Sequence, residues 1–454
     1  MEKINILNQI RKILNDLFPL NRSLAGPGVR ETLNYITDNY LPNSQIKSIA
    51  SGSKVFDWEV PPEWKVEEAY IKNVHGERII DYKVNNVCLV SHSESVDKIV
   101  SEEELFSHLH TLPDYPDWIP YRTSYYKRDW GFCCAHNLLT SEKFLGPFEV
   151  KIDSELITNG NLNWLECIKE GDSEKEILIS SYCCHPSLAN DNLSGVVASV
   201  LLFKYLQSLE TKYTYRLVIA PETIGAISFL SQADTTKILG GMILTCVAGP
   251  GEYSIKEGFD RIHWINQAAH NALRIVTNNH YKTYPFSPDG SDERQYSTPG
   301  FRIVTPSIHK SKYYEYPEYH TSADNLDFIS ASSLMKTINI YKEWINLIES
   351  FCYPVRTQMH GEYQLGRQGL YPLLGGTLSQ PSHNANQFGS LNQQFDLDSK
   401  IEINGEHLDA FNWLMHLADG TLSNFEIAQK SNLNIQIINQ SISALHQKRL
   451  IILK

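Results

Sequence analysis

Apolar residues at Ile6, Ile10, Leu14 and Leu17 recur at helical spacing and predict an N-terminal helix. The run Asn21-Arg22-Ser23-Leu24-Ala25-Gly26-Pro27-Gly28 reads as a turn, followed by a second helix that reaches Tyr40. From about Ser51 the texture changes. Phe56-Asp57-Trp58-Glu59-Val60-Pro61-Pro62-Glu63-Trp64, short apolar runs such as Val87-Cys88-Leu89-Val90, and Pro113, Pro116 and Pro120 among aromatics predict a β-rich insert that ends near residue 165. Between about 174 and 350 the pattern alternates: strands over 177–182, 215–220, 242–247 and 303–308, with a helix over 196–209 between the first two. Alternation of this kind predicts an α/β sheet with helices on both faces, whose ligands collect beyond the carboxyl ends of the strands.

After Phe351 the character shifts again. A polar stretch from Gly375 to Gln387, rich in Gly, Asn and Gln, predicts a linker or extended segment over 356–400. Three helices over 408–417, 424–429 and 435–446 and a short apolar strand over 450–453 then follow, the order of a winged helix. The expected domains are a core made of 1–50 and 166–355, an inserted domain of 51–165, the linker, and a winged-helix domain of 401–454.

Composition narrows the function classes. The 454 residues, 42% hydrophobic and 20% charged, suit a globular protein of more than one domain. A formal charge of −12 argues against nucleic acid held by the whole surface, and Lys430, Lys448, Arg449 and Lys454 are too few for a phosphate-binding face on the C-terminal module. A protein partner or a second copy of the chain is the contact expected there. The N-terminus lacks a basic region followed by an apolar stretch, and no run approaches the roughly 20 apolar residues that cross a bilayer. The expectation is a cytoplasmic protein with no membrane partner. The eight cysteines include no C-x-x-C pair and are expected to be reduced and buried.

Candidate chemistry gathers at predicted strand ends. Ser180-Ser181-Tyr182-Cys183-Cys184-His185 runs off one strand, and Asp191, six residues after His185, opens a helix. Imidazole and carboxylate at one sheet edge are ligands that Zn²⁺ takes, and a catalytic zinc needs about three of them plus an open position. Pro221-Glu222-Thr223-Ile224-Gly225 follows the next strand, making Glu222 the candidate general base. His320, in Tyr319-His320-Thr321-Ser322-Ala323-Asp324, is the candidate third ligand. Asp292, in Gly290-Ser291-Asp292-Glu293-Arg294, is expected to shape the pocket or orient a ligand, and Tyr313 to wall it or to pack within its loop.

At these residues the chain resembles zinc exopeptidases of the M28 aminopeptidase type and the related glutaminyl cyclases. The elements that carry the resemblance are Asp191-Asn192-Leu193-Ser194-Gly195, Glu222-Thr223-Ile224-Gly225, Ser291-Asp292 and His320-Thr321-Ser322-Ala323-Asp324. The whole layout is similar to a bacterial family of aminopeptidase-like proteins with an inserted domain and a C-terminal winged helix, some linked with polysaccharide biosynthesis. Its recurring segments are Phe56-Asp57-Trp58-Glu59-Val60-Pro61, the run from Trp118 to Tyr126, and Gln364-Leu365-Gly366-Arg367-Gln368-Gly369-Leu370-Tyr371. The resemblance implies a zinc-exopeptidase-like mixed sheet and a zinc-dependent aminopeptidase-like hydrolase acting on a peptide or small amide. Two departures matter. Thr223 stands where the family pattern has a second Glu that binds metal, and Thr245-Cys246-Val247-Ala248-Gly249 offers Cys246 where an aspartate is expected. One Zn²⁺, held by His185, Asp191 and His320, is therefore expected rather than two. Ser187 stands where a carboxylate usually orients the first histidine, so that partner must come from elsewhere. An amidase or deacylase acting on a sugar or amino-acid conjugate, and a non-catalytic ligand sensor acting through its winged helix, are the competing readings.

Overall fold

The computed structural model describes residues 2–370 and 405–454 in two compact units, 1–344 and 345–454. All of the polar run from Gly375 to Gln387, and most of the expected linker, lie outside the described residues. The helix Glu2–Leu17 buries Ile10, Ile13, Leu14 and Leu17, positions that share one face at helical spacing. The second helix, Pro27–Asn39, begins with proline at its first position, where the missing N–H costs nothing.

An eight-stranded mixed sheet organises the first unit. Its order is Gln45–Ala50, Asn161–Lys169, Tyr213–Ala220, Ser173–Tyr182, Ile238–Ile243, Ser307–Lys310, Tyr253–Lys256 and Lys282–Tyr284. The strands Tyr213–Ala220, Ser173–Tyr182, Ile238–Ile243 and Ser307–Lys310 run parallel to one another, so their carboxyl ends share one edge. The remaining pairings are antiparallel except that of Tyr253–Lys256 with Lys282–Tyr284.

Parallel strands covered on both faces read as continuous apolar runs, as Ile177-Leu178-Ile179 and Leu217-Val218-Ile219 do. Leu178 and Val218 pack in one core with Ile224, Ile227, Phe229 and Leu230 from the helix Ile224–Gln232. Their neighbours Ile177, Ile179, Leu217 and Ile219 are equally buried and project to the opposite face, where the helix Ser194–Leu206 packs. That helix is apolar on nearly every side, as a fully covered helix must be.

Two expected strands are displaced. The one expected over 242–247 occupies Ile238–Ile243, and the one expected over 303–308 occupies Ser307–Lys310. In the first case Gly240 and Gly241 dilute the apolar signal, yet Gly241 lies so close to the Leu178 carbonyl that a β-carbon would sit 2.4 Å from it. In the second, Ile303 and Val304 are buried but unpaired in a strand ladder, so apolarity reported burial and not conformation.

Between the first and second strands of the large sheet the chain builds a four-stranded antiparallel sheet, ordered Arg78–Asp81, Glu63–Lys72, Phe148–Ile157 and Val96–Val100. Alternate positions Ala69 and Ile71, and Phe148, Val150 and Ile152, supply its own apolar core. The strand Asn161–Lys169 that follows already belongs to the large sheet.

In the second unit the helices Gly405–Leu417, Asn424–Ser431 and Ile435–Gln447 precede the strand Ile451–Leu453, in the order expected from the pattern. Ser423 and Glu426 form a reciprocal capping box at the middle helix. The terminal strand pairs antiparallel with Pro354–Arg356. Among the described residues no helix is long and apolar enough to cross a membrane.

Gly195 explains the glycine of its motif: a β-carbon there would lie 2.3 Å from both Asn192 Oδ1 and the Leu244 carbonyl. Gly195→Ala should lower unfolding free energy by about 1–3 kcal/mol, the usual cost of overpacking. Urea denaturation of the two proteins side by side measures it; equal midpoints would show that this close approach is not a constraint.

Candidate metal centre

Three segments distant in sequence meet beyond the shared carboxyl edge. The first parallel strand ends at Tyr182 and delivers Cys183, Cys184 and His185; the Arg22 guanidinium, buried, donates through Nε to the His185 carbonyl at 3.0 Å. Asp191 follows on a buried, irregular turn ahead of the helix Ser194–Leu206. Asp324 holds that turn: its carboxylate accepts from the backbone N–H of Asn190 at 2.6 Å and of Asp191 at 2.9 Å. His320 lies four residues before this clamp, so one element carries both a candidate ligand and the support of another.

The candidate ligands converge. Asp191 Oδ2 is 3.0 Å from His320 Nε2 and 3.8 Å from His185 Nε2. All three donor atoms lie within 4.8 Å of one another. Bonds of about 2.0–2.2 Å from N and O donors to a single Zn²⁺ place donor atoms at such separations. Asp191 Oδ2 and His320 Nε2 are buried and make no hydrogen bond of acceptable geometry, the state of lone pairs reserved for a cation. The donor set therefore fits one divalent ion.

Electrostatics agree with that fit. Burial holds the His185 imidazole down at about 4, keeping it neutral with a lone pair to offer. Burial also opposes the charge on Asp191, but the two histidines and the Tyr182 hydroxyl outweigh it and hold the carboxyl at about 2. Tyr182 donates to Asp191 Oδ1 at 2.5 Å, leaving Oδ2 to face the imidazoles. Aromatic rings enclose the set: Tyr319 stacks on His320 at 3.9 Å, and Tyr121 sits 5.3 Å from His185 and 5.2 Å from His320.

Glu222 comes off the strand Tyr213–Ala220 and, with Cys184 and His185, forms a second group whose donor atoms lie within 4.8 Å. Burial pushes the Cys184 thiol of this group well above its usual range. The thiol lies 3.7 Å from His185 Nδ1 and accepts the Glu222 N–H at 3.2 Å. It occupies the position beside the ring where an orienting carboxylate was sought, while Ser187 bonds instead to the Phe18 carbonyl. Burial first, then the charges of Asp292 and Asp191, push the Glu222 carboxyl well above the usual carboxylate range.

The other expected residues divide. Asp292 accepts the Thr223 N–H at 2.7 Å, and its burial raises its carboxyl to about 7. The Thr223 hydroxyl accepts from Arg294 Nη2 at 3.0 Å. Tyr313 is buried with its hydroxyl committed to Glu293 at 2.9 Å, while Tyr316 reaches Asp324 at 3.2 Å. Cys246, after the third parallel strand, lies 4.0 Å from Asp191 Oδ1 through its sulfur. Thr223, Cys246 and His320 all have left-handed backbones, with φ of 62°, 51° and 55°. Such conformations cost non-glycine residues on the order of 1 kcal/mol or more each and concentrate at functional sites.

Sequence reasoning missed Tyr182, Asp324 and Tyr121 as builders of the site. The first two lie within or beside the motifs, three residues before His185 and four after His320. Tyr121 had no local signal: the Tyr121 N–H donates to the His320 carbonyl at 2.8 Å, and Ile119 and Ser322 exchange two further bonds of 2.8 and 3.0 Å.

Residues 11–350 match the family described as "Domain of unknown function (DUF4910)". A Clostridium acetobutylicum protein named "Putative polysaccharide biosynthesis protein with aminopeptidase-like domain" is 36% identical over 445 residues, covering 98% of this chain and 96% of that one. The crystal structure of a "putative peptidase" from Clostridium acetobutylicum superposes with a TM-score of 0.86 at 35% identity, over 99% of this chain and 96% of that chain. A zinc aminopeptidase from Bacillus subtilis shares the fold at TM-score 0.54 and 10% identity, over 75% of this chain and 93% of that one. A peptidase M28 precursor from Shewanella amazonensis does so at 0.51 and 12%, over 76% and 97%. With its mixed sheet and its convergent motif residues, the chain belongs to the DUF4910 family and has the fold of M28-type zinc aminopeptidases.

Proposed function

We propose that the protein is a metal-dependent hydrolase of the aminopeptidase type, cleaving a peptide bond or related amide near the end of a small substrate. The observation that carries this reading is the approach of His185, Asp191 and His320 donor atoms to within 4.8 Å, with Glu222 beside His185. His185, Asp191 and His320 would hold one ion, and two imidazoles with one carboxylate are a donor set that zinc takes. When bound, such an ion supplies Lewis-acid polarisation and acidifies water.

The chain's own groups account for the rest of the chemistry. Glu222 takes a proton on its carboxylate and returns it to the departing nitrogen, a cycle that suits a carboxyl whose pKa stands above the ordinary range. Tyr182 fixes the rotamer of Asp191, and Asp324 fixes its backbone. Tyr121 and Tyr319 shield the imidazoles from bulk water. The inserted segment that carries Tyr121 limits access to the site, and the C-terminal unit acts as a winged helix in contacts with protein rather than nucleic acid.

With a panel of aminoacyl and N-acyl amides, Glu222→Gln should lower kcat by about 10²–10⁴-fold while bound metal is unchanged. Turnover unaffected by that substitution would remove the proton-transfer role. Elemental analysis of the purified chain should find one tightly held ion, lost in His185→Ala and in His320→Ala; two ions per chain would overturn the single-ion assignment.

A further inference from the structure

Arg294 has a guanidinium without a counter-ion at the edge of the candidate site. Its Nη2 donates to the Thr223 hydroxyl at 3.0 Å, one residue from Glu222, while its Nε is buried and makes no hydrogen bond. Among the described residues no carboxylate lies within ion-pair distance of it, although the charges of Glu222 and Asp292 are close enough to feel it. Arg216 shows the contrast: it meets Glu176 through two bonds of 2.7 and 2.9 Å and Glu166 through a third of 2.8 Å. Arg22, also without a carboxylate, donates instead to the carbonyls of Leu17 and His185. A guanidinium offers five donors in a planar fork matched to carboxylates, so a half-buried one with a single hydroxyl partner has unused capacity.

A second vacant polar group lies in the same loop. The Ser291 hydroxyl, 1% exposed and beside the Glu222 carboxyl, has no partner of hydrogen-bond geometry. Gly290, with φ of 102°, turns the loop here. Tyr314, 61% exposed and within the electrostatic reach of both Glu222 and Arg294, lies on the solvent side. Arg294 thus has donors to spare near the proposed base, the Ser291 hydroxyl lies beside that base without a bond of good geometry, and the exposed Tyr314 is within electrostatic reach of both Glu222 and Arg294.

We propose that Arg294, with Ser291, anchors a carboxylate of the substrate, which makes the substrate an acidic amide: a peptide or acyl conjugate carrying a carboxylate close to the bond that is cleaved. The proposal rests on the hydrolase reading for the word substrate, but the anion site stands on Arg294 itself. The carboxylate has two sources, an acidic side chain or a chain terminus. Thr223 acquires a purpose in the same picture: a neutral hydroxyl at this position orients the guanidinium, whereas a second glutamate would occupy it.

The test uses full-length purified protein and probes that differ only by acid against amide. Calorimetry compares N-acetylglutamate with N-acetylglutamine for a side-chain carboxylate, and N-acetylalanine with N-acetylalaninamide for a terminal one. In one pair or both, the acid should bind about tenfold or more tightly than its amide, the scale of a charge-assisted hydrogen bond. That ratio should fall toward one in Arg294→Gln at unchanged metal content, and Arg294→Lys, which keeps the charge without the fork, should retain part of it. Equal binding of acid and amide by the wild-type protein, or an acid preference that survives Arg294→Gln, overturns the proposal. Should both variants lose their native melting transition, the wild-type ratio decides alone. KM for matching acid and amide substrates should follow the same ratio with kcat little changed; absence of any hydrolysis would remove the hydrolase reading and leave the binding result to judge the anion site.

Discussion

A buried carboxylate with unlike partners on its two oxygens is the constraint on which the site depends. Asp191 is fully buried, and a lone carboxylate there would cost several kcal/mol or take up a proton. Tyr182 stabilises one oxygen from the sheet, leaving the other toward the two imidazoles. The backbone beneath is fixed by a second buried carboxylate, Asp324, whose own charge is so poorly solvated that its pKa rises to about 7 despite two N–H donors. Removing either acid would leave its donors unpaired, so the two positions form one unit.

The four parallel strands explain why residues as far apart as 185, 222, 246 and 320 meet. Each leaves the sheet at the same edge, and the loop that follows has only to be short or tightly folded to reach the common centre. The insert then completes the enclosure. The segment from Ile119 to Tyr121 bonds to the backbone of His320 and to Ser322, and places an aromatic ring against both imidazoles. The inserted segment is thus part of the wall of the site rather than an appendage.

How much of this was legible depended on how local the cause is. The helices Glu2–Leu17 and Pro27–Asn39, and the three of the second unit, follow from periodic apolar faces and capping residues, and fell within a few residues of expectation. The strands Ile238–Ile243 and Ser307–Lys310 were misplaced because glycines that permit close strand approach lower hydrophobicity, while buried loop residues raise it. The convergence of His185, Asp191, Glu222 and His320 was readable because their motifs sit at strand ends. Tyr121 and Arg294 were not, because their partners are set by tertiary approach across 199 and 71 residues of chain, and no spacing records that.

The clamp of Asp324 on Asn190 and Asp191 bears on how such a site would take up an ion. Because those bonds join protein to protein, the donor atoms are arranged before any ion arrives, and ordering of the loops is not a toll exacted at capture. Nitrogen and oxygen donors suit several first-row divalent ions, whose intrinsic order of affinity runs past zinc to copper, so selection of one rests on the geometry in which the clamp holds them. Occupancy of such a site would then depend on that held geometry together with whichever ion its surroundings supply.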